Sequence, residues 1–474
     1  KTFKAPVEWK NQKVSVYFEG IYMNSEVFIN GKSLGVHPYG YTSFCYDLTP
    51  YLNFDKENVI AVRVDNSQQL NSRWYSGSGI YRHVWLITTN PVHVAQWGVG
   101  ITTSEVSTKK AKVQIKTLVK NENSSSQSVI VKALLLDKNG KNVGNNQVKL
   151  DIAANSQKEN IQTITVSNPL LWSPESPNLY NAQIQILKEK QVVDNIKTQF
   201  GIRSISFSAE NGFQLNGKTI KLNGGCVHHD NGCLGAAAYD RAEERKIELL
   251  KAAGFNAVRT SHNPPSEAFL DACDKLGILV IDESFDGWKE AKNKFDYSLY
   301  FDQWSTSDVE AMVLRDRNHP SIFMWSIGNE VYERKKPEAV EITKRLSAAI
   351  KKIDTSRSVT SAMTTWDNDW AVFDPLMAAH DVCGYNYQLH RAADDHKLVP
   401  SRIIVQTESY PRDAFANWQL VQNNNYILGD FVWTAIDYLG ESSIGRWYYS
   451  GDIPGEHWTQ DFFPWHGAYC GDID

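Results

Sequence analysis

From about residue 204 onward, short apolar runs alternate with helix-length amphipathic segments, a rhythm that calls for a parallel sheet flanked by helices. The apolar runs fall at 220–229, 257–262, 278–283, 322–330, 358–362, 382–387, 402–408 and 428–433. Helices are predicted over 238–253, 265–276, 337–353 and near 305–317. Eight such units in about 270 residues match the size of a (β/α)8 TIM barrel.

In such a barrel the C-terminal strand ends face the active site. The fourth run shows what stands there: Ile322, Phe323, Met324 and Trp325 read as a buried strand, and it ends in Gly328, Asn329 and Glu330. Alone, Glu330 also fits the opening of a solvated helix, because Val-Tyr-Glu-Arg-Lys-Lys follows. The other strand ends decide the matter. They carry His228, His229 and Asp230; Arg259, Ser261 and His262; Asp282 and Glu283; Asn386 and Tyr387; Glu408; and Trp433 with Asp437. One mouth is therefore expected to gather several acids and several donors. Glu330 on strand four and Glu408 on strand seven come from nearly opposite sides and can converge. Paired carboxylates of this kind suit glycoside hydrolysis, in which one protonates the departing oxygen and the other acts at the anomeric carbon. A metal hydrolase is disfavoured, because the chain holds no HExxH or histidine cluster of ligand spacing.

Upstream, residues 1–91 read as all β. Val14, Val16 and Phe18 alternate with polar residues, and Asn30-Gly31 marks a hairpin turn, together suggesting a jelly-roll β-sandwich. The glycine-rich stretch 73–82 is read as a packed corner, slightly ahead of a ligand contact. Residues 92–203 hold about seven short strands, fitting an immunoglobulin-like β-sandwich. The expected organisation is thus 1–91, 92–203 and a catalytic barrel over 204–474.

Charge and composition narrow the partners. A net charge of −5 without a basic cluster argues against nucleic acid, and no run of 18 apolar residues predicts a membrane span. Six cysteines (Cys45, Cys226, Cys233, Cys273, Cys383, Cys470) without a CxxC read as buried small hydrophobes. Fifteen tryptophans hint at sugar stacking. Trp288 and Trp366 fit either a leaving-group platform or a loop anchor. The chain starts at Lys1 and stops at Asp474, and is expected to be a trimmed segment, so a lacking signal peptide says little.

The stretches Asn256-Ala-Val-Arg-Thr-Ser-His-Asn-Pro264, Trp325-Ser-Ile-Gly-Asn-Glu330 and Gln406-Thr-Glu-Ser409, with the order of the three parts, resemble glycoside hydrolase family 2, most of all its β-galactosidases. The resemblance implies Glu330 as general acid/base and Glu408 as nucleophile. It also implies that Asn329 bonds the sugar 2-hydroxyl, that His229, Asp230 and His262 line the glycone pocket, that Arg259 orients the nucleophile, that Tyr387 stands near it, and that Trp433 floors the sugar. Some relatives hold magnesium with a Glu and a His after the third strand; 282–288 has no such His, so no metal and no cofactor are expected. The family's Asp from the jelly roll has no counterpart near 71–74. Its glucuronidases hold the sugar carboxylate with Asn-x-Lys, where this chain has Asp472-Ile-Asp474, which would repel an acid. The expected reaction is retaining exo-hydrolysis of a β-galactoside oligosaccharide or glycoconjugate. β-Glucuronidase, β-mannosidase and an inactive carbohydrate-binding protein stand as alternatives. A homo-oligomer and a periplasmic or secreted location fit the family, with the cytoplasm left open.

Overall fold

The computed structural model of the chain describes residues 1–436 and Tyr438; Asp437, Cys470 and Asp472-Ile-Asp474 lie outside the described residues.

The first part is a two-sheet sandwich. A four-stranded sheet runs Thr2–Lys4, Glu57–Val64, Ser25–Ile29, Lys32–His37, and a three-stranded sheet runs Phe44–Asp47, Lys13–Phe18, Val84–Thr89. Their inner faces share one core, with Val14, Val16 and Phe18 from one sheet and Val27 and Ile29 from the other. Asn30 and Gly31 both take positive φ, 50° and 80°, the twist-matched turn that two-residue hairpins require. The second part is a seven-stranded sandwich of a three-stranded and a four-stranded sheet between Val92 and Phe200, with its own core of alternating inward residues.

The third part is a closed barrel of eight parallel strands: β1 (Leu222–Val227), β2 (Ala257–Thr260), β3 (Leu279–Glu283), β4 (Ile322–Asn329), β5 (Ser358–Met363), β6 (Cys383–Asn386), β7 (Ile404–Ser409) and β8 (Ile427–Val432). β1 pairs with both β2 and β8, which closes the ring. The helices outside are α1 (Asp240–Ala252), α2 (Glu267–Leu276), α3 (Phe301–Asp316), α4 (Pro337–Ile353), α5 (Asp374–Met377), α6 (Ala392–Leu398) and α7 (Ala414–Asn423). Local chemistry sets their ends. The Ser266 hydroxyl accepts from the Phe269 N–H and starts α2, while Gly277 at φ 74° ends it. Pro337 opens α4, where no intrahelical N–H is needed. A small three-stranded sheet (Ile205–Ser208, Gly212–Leu215, Lys218–Thr219), which the strand–helix rhythm does not announce, closes the N-terminal end of the barrel. There Phe213 packs with its ring 5.0 Å from that of Phe323.

Two departures from strict strand geometry shape the opposite end. Register breaks occur between Ser326 and Asn329 on β4, Tyr385 and Asn386 on β6, and Gln406 and Ser409 on β7. Such breaks re-aim side chains at a barrel rim. Glu330 and Tyr387, each one residue past a strand, take left-handed φ of 44° and 62°. Side chains pay for this conformation, and it concentrates at functional sites. Backbone bonds hold both turns: Glu330 N–H donates to Ala362 O at 2.8 Å and Tyr387 N–H to Glu408 O at 2.8 Å.

Candidate active site

Arg259 at the end of β2 is fully buried and organises the mouth. Its Nη1 donates to Glu408 Oε1 at 2.9 Å, its Nε and Nη2 donate to the two oxygens of Glu283 at 2.9 Å each, and Nη2 also donates to Asn329 Oδ1 at 2.9 Å. A planar guanidinium has the donor fork for this, whereas an ammonium would not span it. Tyr387 holds the other oxygen of Glu408, its hydroxyl donating to Oε2 at 2.8 Å. Asn386 does the same for the second acid. Its Nδ2 donates to Glu330 Oε1 at 2.9 Å and to Asn329 Oδ1 at 3.0 Å, and its own Oδ1 accepts from the Thr407 hydroxyl at 2.7 Å. Glu330 and Glu408 thus sit on one continuous network, linked through Arg259, Asn329 and Asn386.

His262 joins the network from β2. Its Nδ1 lies 2.7 Å from Glu283 Oε1, and its Nε2 lies 3.4 Å from Asn329 Nδ2 and 3.9 Å from Glu408 Oε1. The carboxylate accepts from Nδ1, which leaves Nε2 unprotonated in the neutral ring. Burial lowers the His262 pKa to about 4, so the ring is neutral near pH 7. Burial pushes Glu283 up, but Arg259 and His262 outweigh it and hold the carboxyl below its ordinary range. Glu408 goes the other way. Burial, opposed by Arg259 and reinforced by the charge of Glu330, pushes it up to about 7.

A third layer comes from the N-terminal sandwich. Arg73 grips Asp286 bidentately, Nε to Oδ2 at 3.0 Å and Nη2 to Oδ1 at 2.7 Å. Asp286 in turn accepts from Asn329 Nδ2 at 3.1 Å and from Lys292 Nζ at 2.8 Å. The stretch expected to be a packed corner therefore reaches the barrel mouth, and Trp74 beside it lies with its ring 5.5 Å from that of His262. What this segment brings to the mouth is the Arg73 guanidinium. Arg73, Asp286 and Lys292 were not singled out in the sequence, since only the folded contact between separate parts reveals them.

The remaining candidates are placed as follows. Trp433 stacks on His262, centroids 5.2 Å apart and planes 5° apart. His229 lies outside the acid network, its ring against Tyr41 and Tyr81 of the first sandwich at 5.1 and 5.9 Å. His228 is nearer the site, packed against Trp433 and His262. Asp230 is buried, and its carbonyl accepts from Lys246. Asp282 does not belong to the mouth: successive strand residues face opposite ways, so Glu283 takes the inner side. Asp282 sits buried beside Asp316, where burial and that neighbour's charge raise its pKa well above the carboxylate range. Trp288 is a fully buried anchor whose indole donates to Ile327 O at 2.7 Å. Cys226, Cys273 and Cys383 are buried as expected, but Cys233 is exposed. Among the described residues, Asp271, Asp274 and His319 gather metal-capable atoms within 4.8 Å of one another, away from the acids. Asp274 there already binds His319 Nδ1 at 2.6 Å and the Ser321 N–H at 3.0 Å. Among the described residues no helix is long and apolar enough to cross a membrane.

Comparison with known proteins gives the same arrangement a family. Residues 1–91 match the family model described as Glycosyl hydrolases family 2, sugar binding domain; 92–203 match Glycosyl hydrolases family 2; and 208–443 match Glycosyl hydrolases family 2, TIM barrel domain. The chain is 38% identical to a protein named β-galactosidase BoGH2A from Bacteroides ovatus, over 94% of this chain and 61% of that protein. It is 29% identical to a β-glucuronidase from Formosa agariphila, over 99% of this chain and 49% of the other. A crystal structure of a glycosyl hydrolase family 2 member from Bacteroides cellulosilyticus superposes with a TM-score of 0.94 at 46% identity, covering 100% of this chain and 60% of that one. The chain thus spans about three fifths of the length of these two relatives, the β-galactosidase BoGH2A and the Bacteroides cellulosilyticus structure. By its three matched parts, the chain belongs to glycoside hydrolase family 2.

Proposed function

We propose that the chain carries the active site of a retaining exo-β-glycosidase that removes terminal β-galactose. The observation that carries this reading is the shared network: Arg259 and Tyr387 fix both oxygens of Glu408, while Asn386 presents Glu330 to the same mouth. A carboxylate held on both oxygens keeps a fixed direction of attack. In the first step Glu408 attacks the anomeric carbon, the glycosidic C–O bond breaks, and Glu330 gives its proton to the departing oxygen. In the second, Glu330 takes a proton from water, the water oxygen attacks the anomeric carbon, and the bond to Glu408 breaks. Asn329, held by Arg259, Asn386 and Asp286, is the donor for the sugar 2-hydroxyl, a bond that strengthens in the transition state. Trp433 and His262 form the apolar wall and polar edge of the glycone pocket. No step calls for a metal or cofactor.

Galactose is supported by the identity to a protein named β-galactosidase. Glucuronide is the second reading, favoured by the β-glucuronidases from Formosa agariphila and Bacteroides fragilis among the relatives. Initial rates on nitrophenyl β-galactoside, β-glucuronide, β-mannoside and β-glucoside, with Glu408→Ala alongside, separate them. The expected result is a galactoside preference that the substitution abolishes. A glucuronide preference would overturn the sugar, and rates unaffected by the substitution would overturn the mechanism.

A further inference from the structure

Trp366 stands out among the tryptophans around the barrel. It is 68% exposed, yet its neighbours Thr365 and Trp370 are buried at 1% and 7%. The loop that carries it does not need it as an anchor. Gln388 donates to Thr365 O at 2.8 Å, Trp370 donates to Asp395 at 2.8 Å, and Lys335 binds both Asp367 and Asp369 at 2.5 and 2.8 Å. Leaving a large aromatic face in water forgoes the stabilisation that burying it would give.

The position of that face is specific. Trp366 stacks on Tyr387 with centroids 5.8 Å apart and planes 29° apart, and Tyr387 stacks on Tyr410 at 4.5 Å. Tyr387 is the residue whose hydroxyl holds Glu408. Lys335, which ties down the Trp366 loop, lies five residues after Glu330 on the segment that leads away from the acid. The aromatic wall therefore begins beside the nucleophile and runs outward on the side of the proton donor. A leaving group must depart on the side of the group that protonates it. The flat C–H faces of a pyranose complement an aromatic face in apolar character, and such a ring would bury Trp366 as substrate binds.

We propose that Trp366, backed by Tyr387, is the platform of a leaving-group subsite that takes a second sugar ring, so that the substrates are β-linked disaccharides and longer oligosaccharides in preference to alkyl glycosides. This rests on the hydrolase reading above. The test is the ratio of kcat/KM on a β-linked disaccharide to kcat/KM on the β-glycosyl fluoride of the same glycone, whose leaving group has no ring. Both constants report the first chemical step. In Trp366→Ala the ratio falls about tenfold, the scale of one aromatic contact; Trp366→Phe retains most of it. A ratio that Trp366→Ala leaves unchanged overturns the platform while the hydrolase reading stands. A Trp366→Ala ratio that falls, with Trp366→Phe falling as far, assigns the effect to indole-specific loop structure and also overturns it. A wild-type chain that cleaves neither substrate overturns the hydrolase reading, and the platform with it.

Discussion

Arg259 carries one positive charge between two carboxylates, and the two respond differently. Glu283 receives two guanidinium bonds, a histidine and the Ser326 hydroxyl at 2.6 Å, which keep it ionised. For Glu408 burial, with the charge of Glu330 beside it, outweighs its one guanidinium bond and the Tyr387 phenol, and pushes its pKa up to about 7. As the proposed nucleophile, Glu408 must be ionised to attack. Because its pKa is raised, the active form is lost as pH falls through about 7 rather than through the ordinary carboxylate range. The profile of kcat/KM reads the free enzyme. It is expected to show an acidic limb centred near pH 7; a limb near pH 4.5 would mean that Arg259 neutralises Glu408 more fully than this geometry implies. At this scale much of the site was legible. Glu330 and Glu408 stood out because acids end strands that are otherwise apolar. Asp282 and Glu283 could not be told apart, since both faces of a barrel strand are buried and the apolar run gives no parity. His229 and His228 were likewise adjacent in sequence, and only the packing of Tyr41 and Tyr81 shows which one turns away.

The elements place these residues through small irregularities. β4 ends in Gly328 and Asn329 with Glu330 just beyond, and the glycine is required by a neighbour: a Cβ there would lie 2.7 Å from Trp288 Nε1. That indole is fully buried and bonded to Ile327 O, so it has nowhere to move. Gly328→Ala is expected to cost about 1–3 kcal/mol, the scale of an overpacked core, and to lower activity by shifting Asn329 and Glu330. Urea denaturation and the kcat on one substrate measure the two effects; full stability and full activity would contradict the contact. The serine cap and terminal glycine of α2 emerged with the fold; the strands and most long helices were readable from their period. The three-stranded cap at 205–219 was not, because its strands are too short to set a period apart from the flanking runs. The register breaks on β4, β6 and β7 were not legible either, since a bulge changes which way a side chain points without changing composition.

For the molecule as a whole, the first sandwich is part of the site. Besides Arg73, it reaches the barrel through the Tyr39 hydroxyl on Ser284 O at 2.5 Å, Thr42 on Asp308 at 2.7 Å and Arg82 on Pro264 O at 2.8 Å. These contacts join residues more than 180 positions apart in the chain, which is why no local pattern announced them. The second sandwich docks lower, with Asn318 Nδ2 donating to Val99 O at 2.9 Å and Oδ1 accepting from Ile101 N–H at 2.8 Å. Of these hydrogen-bonded contacts, the Arg73–Asp286 pair leads on to Asn329. Arg73→Ala leaves Asp286 with Lys292 and loosens the Asn329 amide, so kcat/KM is expected to fall on the order of tenfold to a hundredfold, with the thermal midpoint little changed because three other contacts keep the sandwich docked. A 2-deoxy substrate, which lacks the hydroxyl that Asn329 is proposed to bind, should lose much less. An equal loss on both would place Arg73 in docking alone.

The measurement closest to the centre of this account is trapping of the glycosyl-enzyme. The chain is incubated with 2,4-dinitrophenyl 2-deoxy-2-fluoro-β-D-galactopyranoside, digested, and the labelled peptide sequenced by mass spectrometry. The fluorine slows both steps by destabilising the oxocarbenium-like transition state, while the good leaving group lets the first step proceed. The account predicts one stoichiometric 2-fluoroglycosyl label, on Glu408, absent in Glu408→Gln. A label on Glu330, or turnover of the parent galactoside with inverted configuration and no label, would contradict it.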